Sequence, residues 1–351
     1  MASNEQLEVV SQITSFSTRM SALQPRQAFH IVPTLRHAER SNGDLFDSDE
    51  YGLDASWERS GLTWSVAADA GYAVDSTLTT EFETTGLVDA QKDREQQRAG
   101  ANMTWYLSET TQMFVGGAWQ DNKYEDAEQT GLVDFSYGVV SAGFSRALGS
   151  TQSVGVTVTA DRFRTAGGDR KSTSQSVLAT WSATPDPLWR LEAQGGVRRT
   201  EGERTLFFFG IPIAELDETD YGETGRVTIT RQGLRDRTNF LASRELRPGG
   251  GGTVFQQDEI ELRHLRELTQ RLSVSASVSY LRNEELGNGG GFSQRDLTTF
   301  EVGGGWKLTE DLRLRAGYAF RSRDSERAGR AEENRVTLSF EYQFPRWSLS
   351  R

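Results

Sequence analysis

The side chains able to do chemistry are few. Histidine occurs three times, at His30, His37 and His264, and cysteine not at all. Without a thiolate there is no cysteine nucleophile, no thiolate-built zinc site and no disulfide framework. No HExxH pair is present to ligate zinc, and no GxSxG elbow presents a serine. His30 and His37 fall on one candidate strand, where a hydrolase would need a nucleophile beside them, and no serine motif accompanies them. The stretch NGDLFDSDE gathers Asp44, Asp47, Asp49 and Glu50, oxygen ligands enough for calcium, but at a spacing unlike an EF-hand. A solvated acidic loop is the expectation there. These residues predict a protein that is not an enzyme, with no metal and no cofactor.

What remains is charge, and it is patterned. In TTFEVGGGWKLTEDLRLRAGYAF, residues 298–320, Phe300, Val302, Gly304, Trp306 and Leu308 share one parity. Glu301, Gly303, Gly305 and Lys307 share the other. After a small polar turn, Leu312, Leu314, Ala316, Tyr318 and Phe320 alternate against Arg313 and Arg315. Pairing Leu308 with Leu312 sets Lys307 opposite Arg313 and Gly305 opposite Arg315. That wall is basic, with Glu301 more than a direct pair away and Glu341 of the last strand able to reach it. Mild anion preference follows, because low-dielectric walls focus such a field.

The same alternation runs along the chain. About sixteen candidate strands lie between residues 27 and 344, mostly ten to fifteen residues long, against the usual five or six of a soluble sheet. Short connections such as TPDP at 184–187 alternate strictly with long polar ones such as 83–94 and 284–295. All short turns therefore lie at one end. This is the asymmetry of a transmembrane barrel, with short periplasmic turns and long extracellular loops. Trp57, Trp64, Trp105, Trp181, Trp189 and Trp306 all sit near short turns on the apolar parity, as an interfacial girdle requires. A soluble β-sandwich would scatter its aromatics.

Composition agrees. The chain has 351 residues, 35 of them glycine, a mean hydropathy of −0.58 and a net charge of −11. No stretch approaches 18 consecutive apolar residues, so no helix spans a membrane. The acidic balance argues against a nucleic-acid partner. The start, MASNEQLEVV, lacks a signal-peptide pattern, so an exported protein with this numbering is a processed or altered form.

Residues 1–26 read as a periplasmic segment or lumen plug. Leu7, Val10, Ile13, Phe16, Met20 and Leu23 are spaced for one face of a short helix, and Pro25 would end it. Residues 27–344 are the barrel, and 345–351 a periplasmic tail after Pro345. The connection TLFFFGIPIAELDETD, 205–220, carries Phe207, Phe208, Phe209, Ile211 and Ile213, a costly patch to leave in water. It packs on itself or extends a hairpin, folds inward as a constriction, or docks a partner. RPGGGGT at 247–253 reads as a flexible loop.

The last strand, NRVTLSFEYQF, ends on an aromatic and resembles the assembly signal of Gram-negative outer-membrane barrels. The segments RLSVSASVSYLRNEE, WKLTEDLRLRAGYAFRSRDS and NRVTLSFEYQFPR resemble β-barrel porins found in exopolysaccharide and protein-sorting gene clusters of proteobacteria. IVPTLRHAERSNGDLFDSDEYGLDASWE resembles their first hairpin. The resemblance implies an integral outer-membrane location among lipid and lipopolysaccharide, and a link to surface polymer export. The expectation is thus an all-β, antiparallel, sixteen-stranded outer-membrane barrel acting as a passive conduit or export pore for an anionic surface polysaccharide, with a periplasmic export partner. The alternative is a plugged barrel that docks a partner complex.

Overall fold

The computed structural model describes residues 10–40, 47–77, 92–127, 132–208, 211–285, 294–325 and 329–344. Its strands are β1 (Ser11–Ser17), β2 (Met20–Gln24), β3 (Gln27–Arg40), β4 (Ser48–Ser60), β5 (Trp64–Ser76) and β6 (Asp93–Tyr106). They continue as β7 (Thr111–Tyr124), β8 (Phe135–Ala147), β9 (Gln152–Thr165), β10 (Arg170–Asp186), β11 (Trp189–Phe208) and β12 (Ile211–Gln232). The remainder are β13 (Asp236–Gly249), β14 (Thr253–Glu267), β15 (Leu272–Glu285), β16 (Arg295–Lys307), β17 (Leu312–Ser325) and β18 (Gly329–Tyr342). From β3 to β18 each strand pairs antiparallel with the next, which gives the all-β barrel wall that the alternation predicts.

Alternation fixes which face is which. Val302, Phe300 and Trp306 on β16, like Val154, Val156 and Val158 on β9, are exposed on the outer surface. Such residues suit lipid, and the intervening polar parity turns inward. Aromatics mark both ends of the apolar band. Trp64 pairs directly with Trp105 beside short turns, while Tyr51 and Tyr72 stack 6.3 Å apart toward the long-connection end. A protease site inserted between Ala166 and Asp169 should be cut on intact cells, and one beside Asp186 should not. The reverse pattern would invert the orientation.

Residues 11–24 are not the short helix that their apolar spacing predicts. The pairs Ser11↔Arg40 through Ser17↔Thr34 and Met20↔Ile31 through Gln24↔Gln27 share one register, so β1 and β2 occupy a single strand position on β3. The break between them faces Pro33, which has no N–H to donate. Its carbonyl accepts the Thr18 amide at 3.3 Å. Pro25 turns the chain into β3 rather than ending a helix, with Arg26 at φ +70° supplying the left-handed step. Tertiary backbone pairing has overridden local periodicity, and the strand count is eighteen instead of sixteen.

Of the courses open to the 205–220 connection, the chain takes the hairpin extension. β11 and β12 run 20 and 22 residues and stay paired as far as Phe208↔Ile211. The connection is an extended ribbon.

Candidate functional site

The site is built where inward parity and the outer end of the wall meet. On β7 the lipid-facing residues include Met113, Val115 and Trp119, so Tyr124 lies on the opposite parity. The same reasoning turns Phe135 of β8 and Phe163 of β9 into the lumen. Their rings form a continuous stack, with centroids 6.4 Å apart for Tyr124 and Phe135 and 5.3 Å for Phe135 and Phe163. All three are buried, and the fourth member of their core is Val254, from the far side of the barrel.

Val254 reaches them because the β13 side of the β13–β14 hairpin parts from β12, while β14 stays paired with β15 as far as Phe255↔Glu285. Pairing of β12 with β13 stops at Gly225↔Arg244, whereas β13 and β14 remain paired to Gly249↔Thr253. The hairpin tip, residues 246–254, lies beyond both neighbouring ladders, leans into the mouth and packs against the inner ends of β7 to β11, while Glu245 stays bonded to Arg226 of β12 at 2.8 Å. The Val133 amide donates to the Gly250 carbonyl at 2.7 Å, and Arg170 Nη1 lies 3.4 Å from the carbonyls of Gly251 and Gly252. Gly252 makes the bend at φ +73°, a conformation that side chains disfavour.

A buried cation anchors the hairpin's other flank. The Arg198 side chain, only 3% exposed, donates through Nη2 to Gln256 Oε1 at 2.7 Å and through Nη1 to Thr200 Oγ1 at 3.2 Å. Asp220 supplies the countercharge at 3.4 Å. The guanidinium crosses β12 directly over Gly222, where any Cβ would stand 2.7 Å from Nη2. Buried cations are tolerated only with such pairing.

The predicted selectivity residues gather elsewhere, at the short-turn end. Lys307 is opposite Arg313, and Gly305 opposite Arg315, as the turn dictates. Glu341 does reach them, 2.6 Å from Arg315 and 3.7 Å from Arg313. One carboxylate thus serves two arginines. Glu301 stands apart, opposite Ala319, with Arg321 at 3.9 Å and Ser277 at 3.5 Å. Phe207, Phe208 and Ile211 lie at the ribbon tip; their side chains, and Phe209, fall outside the described residues.

The histidines form no hydrolytic arrangement among the described residues. His30 Nδ1 is 2.7 Å from Ser21 Oγ, with no carboxylate bonded to that histidine. His37 sits beyond the Tyr51 layer, with Nδ1 2.6 Å from Asp49 and Nε2 3.2 Å from Glu39. Those hydrogen bonds, Asp49 first, raise its pKa above the ordinary imidazole value. Glu50 pairs with Arg36 at 2.8 Å and Asp49 with His37 at 2.6 Å; Asp44 lies outside the described residues. No group of three or more potential metal ligands occurs among the described residues.

Comparison with solved structures settles the architecture. The ferric-catecholate import receptor Fiu of E. coli K12 in its open form superposes with a TM-score of 0.53 at 10% identity, over 94% of this chain and 72% of that one. The siderophore receptor PiuA of Acinetobacter baumannii gives 0.51 at 11% identity, over 92% and 64%. The alcaligin outer membrane receptor FauA of Bordetella pertussis gives 0.50 at 11%, over 96% and 64%. The fold is that of an outer-membrane β-barrel. The chain is integral to that membrane, spans less than two thirds of the length of PiuA and FauA, and shares with all three a fold rather than a demonstrated cargo. No family model matches it, and no curated protein sequence does. The porin resemblance of the second half therefore rests on its strand patterns alone.

The inward hairpin was not foreseen from sequence, although one signal was there. Tyr124, Phe135 and Phe163 are aromatic on the parity that should be wet.

Proposed function

We propose that this protein is a gated outer-membrane conduit for polar, anionic solutes, closed at rest by the 245–258 hairpin. The observation that carries this reading is the parting of β13 from β12 beyond Gly225↔Arg244, with β14 still held by β15, and the seating of the hairpin tip on Tyr124, Phe135, Phe163 and Arg198. A permanently open pore has no use for an apolar seat inside its mouth. A ferric-catecholate import receptor and an alcaligin receptor share the fold, which supports a regulated passage over a passive one. The basic short-turn end favours anionic cargo, and a surface polysaccharide is one such class.

The gate can be locked. A Cβ built at Gly252 lies 3.0 Å from Val133 Cβ, shorter than the roughly 3.8 Å of a disulfide, so the flexible tip must shift by under an ångström to admit the bridge, and the chain has no other cysteine to compete. Val133→Cys with Gly252→Cys should be silent in a planar bilayer when oxidised and show openings when reduced. Equal conductance in both states would show that the hairpin is no gate.

A further inference from the structure

The ladder has two ends. On one flank it stops at β1 and β2, on the other at β18, and among the described residues no register joins β18 to either. The exposure of β18 reflects this: Val336 and Phe340 are 82% and 68% exposed, against 43% for Val302 and Phe300 inside the wall. Fourteen residues of β18 thus carry an unpaired backbone edge. In hydrocarbon each such group costs several kcal/mol, so the edge must be closed in the bilayer.

Two strands could close it, and they differ in direction. β18 runs toward the short-turn end, and so do β1 and β2, so their union would be parallel. β3 runs the opposite way. Every other pairing in the wall is antiparallel, and β3 alone would preserve that.

Side-chain periodicity separates the candidates further. β3 presents Phe29, Ile31, Pro33 and Leu35 on its outer parity, and β18 presents Val336, Leu338, Phe340 and Tyr342. The 11–24 segment has no such face. Its register places Phe16 and Met20 outward with Gln12, Thr14 and Gln24, while Ile13 and Leu23 turn inward beside Arg19. Its hold on β3 is also defective, because the polar side of Pro33 that faces it lacks a donor.

We infer that residues 11–24 are a displaceable edge strand, and that the membrane-inserted wall closes antiparallel through β3 and β18 as sixteen strands. The segment occupies the closing edge of β3 until β18 takes it.

Cysteine pairs test this without background, since the native chain has none. Ile31→Cys serves as the common probe. Combined with Met20→Cys, its direct partner, it reports the resident strand. Combined in turn with Val336→Cys, Leu338→Cys or Phe340→Cys, it reports closure. In the outer membrane we expect one of the three β18 pairs to oxidise in most molecules and the Met20 pair in few. A chain lacking residues 1–24 should still insert and migrate faster on unboiled than on boiled gels. Cross-linking of Ile31 to Met20 alone, together with cross-linking of Met20→Cys to β18, would establish a parallel seventeen-strand closure and overturn the proposal. So would loss of the heat-modifiable band in the truncated chain.

Discussion

Replacing residues 246–256 with an Asn-Gly turn should raise single-channel conductance several-fold and turn brief openings into a steady open state. Glu245 and Gln257 are direct partners, so a two-residue turn joins them; the β14–β15 ladder loses only its last two pairs, Phe255↔Glu285 and Gln256↔Glu284. The change removes Val254 from the aromatic seat, Gln256 from Arg198 and the glycine carbonyls from Arg170. Exposing the seat and orphaning one charged hydrogen bond should cost about 3 kcal/mol. The ladders hold the wall together, so the trimmed protein should remain folded and heat-modifiable. A trimmed barrel that stays silent would mean that the lumen is filled elsewhere, and the docking-barrel reading would then stand.

Reversing charge at the opposite end should have the second large effect. Arg313 and Arg315 share Glu341, and with Lys307 opposite Arg313 the patch keeps a net charge of +2. Arg313→Glu with Arg315→Glu converts it to −2, with three carboxylates facing one lysine. All lie on lumen parity, within reach of permeating ions and within one Debye length of one another at physiological salt. In a potassium chloride gradient the reversal potential should move from mild anion preference to cation preference, and the shift should shrink as salt rises. An unchanged reversal potential in a conducting barrel would place these arginines off the ion path. Measuring it in the trimmed protein separates selectivity from gating.

Much of this architecture was legible because a lipid-facing strand obeys a strict rule at every second residue. Val302 and Trp306 against Glu301 and Lys307 leave one possible face and, with a short turn, one register, which is why Lys307 meets Arg313 as expected. The rule fails where no lipid is present. Glu215, Asp217, Glu218 and Asp220 in β12 lie above the point where β13 departs, so no lipid-facing parity marks them as strand. Residues 11–24 were misread for a related reason. Their apolar spacing of three and four is helical, and only the long-range register with β3 makes them extended. The glycine run 249–252 signals freedom but not direction. Its direction comes from Tyr124, Phe135 and Phe163, more than a hundred residues away at two of the three positions.

The height of the β11–β12 ribbon sets what the cell presents to its surroundings. Residues 211–224 continue beyond the last β12–β13 pair, about 45 Å of strand at the usual rise per residue. That exceeds the thickness of the hydrocarbon layer itself, about 30 Å. Among the described residues, the ribbon beyond the end of β10 at Arg204 is thus protein surface that an antibody or an adsorbing particle meets outside the lipid. Its lower part holds Arg198 through Asp220 and passes under it at Gly222, but its tip does neither, so a foreign epitope grafted at the tip would be displayed clear of the lipid without altering passage through the barrel.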